Sequence, residues 1–165
     1  MESQVSGRLG GLGADSGAQF IPLPTRRILL VDPEPFNIIS LRATIKQLGP
    51  VYKKLNKLID PVYSGKAAMN KIKQGLQATG NKQVVTYGLV ITGIHMPVVS
   101  GYDLADGIRS FYTDNRVAQP MVVATTTHLE QAYIRKAWSH AIDEVLVKPI
   151  DNDLLQQVLE QMVQT

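Results

Sequence analysis

The chain contains no cysteine among its 165 residues, which excludes disulfides, cysteine-ligated zinc, iron–sulfur clusters and thiol nucleophiles. It has only three histidines, His95, His128 and His140, and their spacing excludes a His-Glu-x-x-His metal pair. No apolar run approaches the roughly 20 residues that cross a bilayer. We therefore expect no membrane insertion and an intracellular location, cytoplasmic or within an organelle.

Motifs for nucleotide chemistry are absent as well. No Gly-x-Gly-x-x-Gly or Gly-x-x-x-x-Gly-Lys-Ser/Thr sequence follows an apolar run, so dinucleotide binding and nucleotide hydrolysis are not supported. The histidines have no sequence neighbour that would orient them for acid–base catalysis. We expect a protein that is not an enzyme and that holds neither a metal nor a cofactor.

The formal net charge of +3 hides an uneven distribution. Residues 42–82 carry nine basic groups and one acidic group, Asp60, whereas residues 83–165 carry five basic and nine acidic groups. Such a basic segment is either a solvated lysine-rich helical face or a surface for nucleic acid or an acidic partner. The candidate basic patch consists of six lysines: Lys53, Lys54, Lys57, Lys66, Lys71 and Lys73.

Composition divides the chain into an arm and a domain. Residues 1–26 are rich in Gly, Ser and Pro and show no hydrophobic periodicity, which predicts an N-terminal arm. From residue 27 to residue 165, short apolar runs alternate with segments of helical periodicity. The last predicted helix reaches the end of the sequence, so we expect no attached output domain.

The apolar runs predict a parallel sheet. Runs of strand length that are apolar on both faces belong in a parallel sheet covered by helices on each side. Five strands alternating with five helices then predict an α/β fold, a doubly wound five-stranded parallel sheet with helices on both faces. The predicted strands lie at residues 28–31, 89–91, 121–124 and 145–147, with a weaker one at 59–63.

Polar residues follow these strands, and the carboxyl ends of parallel strands share one edge of the sheet. The segments in question are Asp-Pro-Glu-Pro at 32–35, Thr-Gly-Ile-His-Met-Pro at 92–97, Thr-Thr-Thr-His at 125–128 and Lys-Pro at 148–149. Acidic, hydroxyl and lysine side chains are therefore predicted to converge on a single crevice.

Four segments in this order resemble the response-regulator receiver domain of two-component signalling. They are ILLVDPEPFN (28–37), LVITGIHMPVVSGYDL (89–104), MVVATTTH (121–128) and AIDEVLVKPI (141–150). The resemblance covers the chain from about residue 27 onward. It implies the flavodoxin-like fold of receivers and a crevice that in the family accepts a phosphoryl group.

The resemblance also shows where this chain departs from the family. The phosphoacceptor aspartate of receivers falls on Gly93, which has no side chain, so aspartyl phosphate cannot form there. A second acidic position, normally a Mg²⁺ ligand, falls on Pro33, while Asp32 and Glu34 match the first and third. The aromatic switch position is Val145. The resemblance therefore implies a degenerate pseudo-receiver.

Other family positions are retained. Lys148 would contact the phosphoryl oxygens in an active relative, and here we predict that it pairs with Asp32 across the empty crevice. The Lys148–Pro149 bond resembles one that is cis in the family. We assign the switch hydroxyl to Thr126, with Thr125 as the neighbouring alignment. The vestigial receiver site predicted in this way consists of Asp32, Glu34, Gly93, Thr126, Lys148 and Pro149.

An insertion near residues 50–57 lengthens the connection between the first helix and the second strand relative to a compact receiver. Its sequence, PVYKKLN at 50–56, belongs to the basic segment and includes one aromatic residue, Tyr52. A lysine-rich insertion with an aromatic side chain could contact RNA or phospholipid phosphates. No established nucleic-acid-binding signature accompanies it, so an acidic protein neighbour is an equal alternative.

The leading functional hypothesis is a non-catalytic pseudo-receiver that acts as a protein-binding or scaffold subunit, in a multi-subunit complex, independently of aspartyl phosphorylation. Two alternatives stay open: an atypical receiver in a phosphorelay, and a nucleic-acid-associated protein acting through residues 42–82. Receivers commonly bind partners on the face around their last strand. The candidate partner face here consists of Gln131, Arg135, Trp138, Val145, Asp151 and Leu155.

Overall fold

A computed structural model describes residues 26–78 and 87–164, so only Arg26 of the predicted arm falls within the described residues. The strands are β1 Arg27–Val31, β2 Ile59–Val62, β3 Tyr87–Gly93, β4 Met121–Thr126 and β5 Glu144–Val147. The helices are α1 Pro35–Gln47, α2 Pro50–Leu55, α3 Gly65–Ala78, α4 Gly101–Asp114, α5 Gln131–Ser139 and α6 Asn152–Gln164.

The five strands form one parallel sheet in the order β2-β1-β3-β4-β5. The central strand β3 is buried along its whole length, which explains its continuous apolar sequence. The strand order reverses next to β1 and β3, where a doubly wound sheet opens a crevice at its carboxyl edge. The predicted fold class is confirmed.

Helices cover both faces of this sheet. On one face α1, α2 and α6 pack through a core cluster that includes Ile38, Ile45 and Leu159. On the other face α3, α4 and α5 pack through a second cluster that includes Ile72 and Ile108. None of the described helices is long and apolar enough to cross a bilayer.

The predicted strict alternation of five strands and five helices is wrong at one point, because the insertion folds into the additional helix α2. Gly49 turns the chain with a φ of 141°, and Pro50 then begins the helix, a position at which proline is favourable. Tyr52 and Leu55 lie one helical turn apart and are both buried. The Tyr52 hydroxyl donates to Glu160 of α6 at 3.4 Å, so this aromatic ring is not available to an RNA ligand.

An ion pair links the edge strand β2 to β1 at the amino end of the sheet. Arg27 donates through Nε and Nη2 to the two carboxylate oxygens of Asp60, at 2.7 and 2.6 Å. The hydroxyl of Tyr87 donates to Asp60 Oδ2 at 2.8 Å. The hydrogen bonds from Arg27 hold the pKa of Asp60 below its usual range, and burial raises the pKa of Tyr87. These contacts join β1, β2 and β3.

Candidate functional site

The side chains predicted to converge do so at the carboxyl edge of the sheet. Asp32 directly follows β1, Gly93 ends β3, and Lys148 directly follows β5. Gly93 pairs in register with Thr125 on β4, which sets the level of the crevice floor. The order β1-β3-β4-β5 brings these four residues together because the strands are neighbours in the sheet.

Asp32 is buried, and both of its carboxylate oxygens accept hydrogen bonds. Oδ1 accepts from the backbone N–H of Glu34 at 2.8 Å, and the Asn37 amide lies 3.1 Å from each oxygen. Asn37 sits in the first turn of α1, so the helix itself positions the donor. Sequence analysis missed Asn37, although its place in the first turn after the acidic loop was a usable signal.

Lys148 lies opposite Asp32, as predicted. Its Nζ is 3.6 Å from Asp32 Oδ2, close enough for charge attraction but beyond a good hydrogen bond. The Lys148–Pro149 peptide bond is cis, also as predicted. The backbone N–H of Lys148 donates to Thr126 O at 2.8 Å, and this hydrogen bond extends the pairing of β4 and β5 as far as the crevice.

Gly93 leaves an open place in the crevice floor. A methyl group added at this position would lie 3.5 Å from Asp32 Oδ2 and 3.8 Å from Met96 Cγ, which are ordinary van der Waals distances. The crevice floor therefore has room for a Cβ atom at this position. The residue that in receivers carries the nucleophilic carboxylate is here a backbone position with room beside it.

The assignment of the switch hydroxyl to Thr126 is corrected to Thr125. Thr125 lies on the cleft next to Asp32 and Lys148. The Thr126 hydroxyl instead accepts from the backbone N–H of His128 at 3.1 Å, and so closes the turn after β4. Adjacent strand residues point to opposite faces, so only one of these two threonines can face Asp32 and Lys148.

A cleft of about 270 Å³ opens beside Asp32, between α1 and the segment after β5. It offers a polar end, an apolar wall and a partly exposed ammonium group. The lining includes Asp32, Asn37, Ile38, Leu41, Lys148 and Ile150.

The residues present do not fit the Mg²⁺ ion of an active receiver. Mg²⁺ prefers carboxylates, phosphates and water in octahedral geometry. Pro33 and Gly93 supply no side-chain oxygen, and the oxygens of Asp32 are engaged by Asn37 and Lys148. Within the described residues, no group of three or more His, Asp or Glu side chains is arranged to hold a metal.

Large apolar side chains stand exposed near the mouth of the crevice. On α1, Phe36 is 75% exposed and Ile39 is 65% exposed, although Ile38 beside them is buried. Val98 and Leu129, in the loops after β3 and β4, are exposed as well. A helix that is apolar on both its inner and outer faces normally has a partner on each. We refer to these four exposed residues as the crevice rim: Phe36, Ile39, Val98 and Leu129.

Two histidines in the loops after β3 and β4 form a ring cluster with Tyr133 in the first turn of α5. The His95 and His128 rings are 4.8 Å apart, and the His128 and Tyr133 rings are 4.7 Å apart. The third histidine, His140, lies 2.7 Å from a carboxylate oxygen of Asp106. None of these neighbours could be seen in the sequence, because each pair joins separate loops or helices.

The predicted partner face needs correction at two residues. Gln131, Arg135, Trp138 and Asp151 are exposed, and Trp138 retains 57% of its accessible surface. Val145 and Leu155 are buried in the two core clusters, and Leu155 is 0% exposed. Both side chains point into the core, so neither can contact a partner.

The six lysines of the predicted basic patch are all exposed. Lys53 and Lys54 lie on α2, and Lys57 lies in the short 3₁₀ turn that follows. The others lie on α3, across the edge strand β2. They are Lys66, Lys71 and Lys73.

Comparison with known proteins gives a family and several relatives. The family model described as "Response regulator receiver domain" matches residues 28–160. The aerobic respiration control sensor protein ArcB of Escherichia coli is 27% identical over 148 residues, covering 88% of this chain and 16% of ArcB. The sensor protein GacS of Pseudomonas syringae is 26% identical over 140 residues, covering 84% of this chain and 14% of GacS. The chain thus spans about one seventh of each relative.

Solved structures agree on the fold. A co-crystal of the Saccharomyces cerevisiae histidine phosphotransfer signaling protein Ypd1 with the receiver domain of its downstream response regulator Ssk1 matches with a TM-score of 0.69. The match has 22% sequence identity and covers 87% of this chain and 92% of that one. The sheet order, the crevice with its cis Lys148–Pro149 bond and the family match lead to one conclusion. The chain belongs to the response regulator receiver domain family.

Proposed function

We propose that this chain is a pseudo-receiver, a non-catalytic module that binds protein partners without accepting a phosphoryl group. The observation that carries the proposal is Gly93, a buried residue without a side-chain oxygen that lies next to Asp32 at the phosphoacceptor position of receivers. Phosphoryl transfer from phosphohistidine needs a nucleophilic oxygen in line with the donor. At this position the chain offers none.

The other oxygens of the crevice are poor substitutes for the lost nucleophile. The carboxylate of Asp32 is buried and accepts from Glu34 N–H and the Asn37 amide, while Lys148 neutralises it. The hydroxyl of Thr125 is buried and donates to Thr92 O at 3.5 Å. Thr92 is fully buried, and its hydroxyl donates to Gly93 O at 3.0 Å. None of these is activated for attack on phosphorus.

The crevice rim supports a binding role. Phe36 and Ile39 on α1 expose apolar area in one place, and a partner gains most from burying clustered apolar side chains. The receiver domain of Ssk1 has been crystallised with the phosphotransfer protein Ypd1. We infer that the partner of this chain is a protein of the histidine phosphotransfer class, which it binds without receiving phosphate.

The remaining parts of the proposal concern organisation. We infer that residues 27–165 are the folded unit and that residues 1–26 are an arm that contributes to assembly in an intracellular multi-subunit complex. Deletion of the arm is expected to weaken such assembly and to leave the melting temperature of the domain unchanged. An unchanged assembly would remove the arm from the proposal.

The proposal that the phosphoacceptor is missing can be tested by restoring the two carboxylates. The full chain and a Pro33→Asp/Gly93→Asp double variant are incubated with acetyl phosphate and Mg²⁺, and intact mass is followed. The double variant regains the two carboxylates, and the Cβ of an aspartate at position 93 would lie at ordinary contact distances from Asp32 and Met96. We expect a phosphoryl adduct on the double variant and none on the natural chain.

Two control variants show whether modification depends on the restored carboxylate and on Lys148. The Gly93→Asn/Pro33→Asp variant has the same shape without the nucleophile and should stay unmodified. Lys148→Gln in the double-variant background should lower the modification rate. A phosphoryl adduct on the natural chain would instead support the second candidate, an atypical phosphorelay receiver, which the retained Asp32, Thr125 and Lys148 favour. Mapping that adduct would then identify the acceptor.

A binding experiment tests the partner class and the docking site together. Ypd1 serves as the probe, titrated calorimetrically into the natural chain, a Phe36→Asp variant and a Trp138→Ala variant. We expect Phe36→Asp to weaken binding at least about tenfold and Trp138→Ala to leave it unchanged. The opposite pattern would move the site to the partner face around α5. No binding by the natural chain would overturn the proposed partner class.

A further inference from the structure

The six exposed lysines flank one edge of the sheet. α2 packs with α1 and α6 on one face, α3 packs with α4 on the other, and the edge strand β2 lies between them. Lys53, Lys54 and Lys57 lie on the helix and the 3₁₀ turn that directly precede β2, and Lys66, Lys71 and Lys73 lie on the helix that follows it. We call this set of six lysines the basic rim.

The charge of the basic rim is not neutralised within the described residues. No lysine of the rim lies in an ion pair with a carboxylate of residues 26–78 or 87–164. The nearest acidic residue in sequence, Asp60, is bonded to Arg27 and Tyr87, and Lys71 acts on it only at longer range. A concentration of like charge on one edge raises the local positive potential and attracts polyanions.

Fold stability explains only part of this set. Lys53 and Lys54 stand in the last turn of α2, where the helix dipole favours a cation. Lys66 stands in the first turn of α3, where the dipole disfavours one and no acidic residue compensates. Protection of the edge strand does not require the lysines either, because β2 is four residues long and contains Pro61.

The surroundings of the rim favour a nucleic acid over a protein. Protein interfaces are built around a desolvated apolar centre, and the exposed apolar residues of this chain lie chiefly on the crevice rim. On α3 the exposed positions between the lysines are amides such as Asn70 and Gln74. Tyr63, which is 52% exposed just before α3, offers a ring on which a base can stack.

We propose that the basic rim binds the phosphate backbone of a nucleic acid, with Tyr63 stacking on a base. The interaction is dominated by charge and is independent of base sequence, because exposed lysines contact phosphates rather than base edges. This site is separate from the crevice and from its proposed protein partner. It gives the chain the means to hold a protein and a nucleic acid at the same time.

The test measures anisotropy of a fluorescein-labelled single-stranded RNA of about 16 nucleotides, titrated with the full chain at several NaCl concentrations. About five phosphate contacts predict a log–log slope of about −3.5 and an affinity loss of about 100-fold between roughly 50 and 200 mM salt. A triple variant, Lys66→Gln/Lys71→Gln/Lys73→Gln, should reduce the slope by about 2. Tyr63→Ala should weaken binding at every salt concentration without changing the slope.

A matched control removes the same number of charges elsewhere. The triple variant Arg116→Gln/Arg135→Gln/Lys136→Gln should bind RNA with the natural slope, and circular dichroism checks that both triple variants are folded. Equal losses in the two triple variants, or no binding at about 50 mM salt, would overturn the proposal. Polyglutamate that competes as well as unlabelled RNA at equal charge would overturn it in favour of an acidic protein. A DNA strand of the same sequence, run in parallel, shows whether 2′-hydroxyl groups contribute.

Discussion

Two carboxylates at opposite ends of the sheet, the buried Asp32 and the part-buried Asp60, are held in different ways. At the amino end, Asp60 receives a two-pronged guanidinium from Arg27 at 2.6 and 2.7 Å and a phenol from Tyr87 at 2.8 Å. At the carboxyl end, Asp32 receives the Asn37 amide at 3.1 Å and faces the Lys148 ammonium at 3.6 Å. Both carboxylates have a cation, but only Asp60 is directly hydrogen-bonded to it.

The two ways of holding a carboxylate have different consequences for the rigidity of the sheet. A bidentate guanidinium fixes the carboxylate geometrically as well as electrostatically, and here it ties three strands together. A lysine at 3.6 Å is a flexible point charge, and beside it lies the cleft of about 270 Å³. We infer that the contacts at the amino end keep the sheet rigid, while the carboxyl end has a pocket that can rearrange.

The largest effect is expected from Asp60→Asn. The substitution removes the anion but leaves the part-buried guanidinium of Arg27 without its charge partner. We expect a loss of about 2 kcal/mol in the free energy of unfolding, the typical worth of hydrogen bonds to a charged group. Urea unfolding followed by circular dichroism measures it. A change near zero would mean that the two ends of the sheet do not differ in rigidity.

The second prediction concerns acid. Because the pKa of Asp60 is lowered in the folded state, its contribution is present above the unfolded pKa of about 4 and is lost as pH falls through the lower folded value. The natural chain should therefore lose stability at acid pH, and its advantage over Asp60→Asn should shrink toward zero there. Unfolding curves of both chains at neutral and acid pH give the comparison. A constant difference across pH would contradict the assignment to this carboxyl.

The fold could be predicted from the sequence because the strands are continuous apolar runs, a pattern that indicates burial on both faces. The place of the crevice could also be predicted. Asp32, Gly93 and Lys148 each stand at the end of such a run, so they share one edge of the sheet once the strands are parallel. The pair between Arg27 and Asp60 was not predicted. It depends on strand register, since the two residues are 33 positions apart.

The errors of the sequence analysis have different origins. Choosing between Thr125 and Thr126 requires knowing which of two adjacent strand residues pairs with Gly93, and a run of three threonines gives no alternation to decide it. Leu155 was placed on the partner face although its helical spacing with Val158 and Met162 predicts a core stripe, and the structure buries all three residues. The helix α2 had a signal in the Gly-Pro step and the Tyr52–Leu55 spacing, but six residues are too few for a clear periodicity.

A smaller effect is expected at the crevice from Lys148→Gln. The ammonium is partly exposed and lies beyond hydrogen-bond distance, so its removal leaves Asp32 with its bonds from Asn37 and from Glu34 N–H. We expect a loss of about 0.5 kcal/mol, in the range of exposed ion pairs. Lys148→Met serves as control for the methylene stem. A loss as large as that of Asp60→Asn would show that the crevice is as rigid as the amino end.

The smallest effect is expected from Gly93→Ala. The added methyl group meets only Asp32 and Met96 at ordinary contact distances, so the free energy of unfolding should change by no more than about 0.5 kcal/mol. Gly101→Ala is the control, because a methyl group there would collide with the carbonyl oxygen of Gly93 and lie 2.9 Å from Ile94 Cα. It should destabilise the chain clearly more than Gly93→Ala.

The pair of glycines also determines how the experiment that restores the two carboxylates is interpreted. If Gly93→Ala is neutral, the phosphoacceptor position has room for a Cβ atom, and a failure of Gly93→Asp to accept a phosphoryl group is then due to the carboxylate group and its surroundings. If Gly93→Ala costs as much as Gly101→Ala, the floor has closed over the lost aspartate and the failure is steric. The first result would leave the crevice as a site that lost its nucleophile while keeping its shape. The second would make the loss of phosphoryl chemistry part of the fold itself.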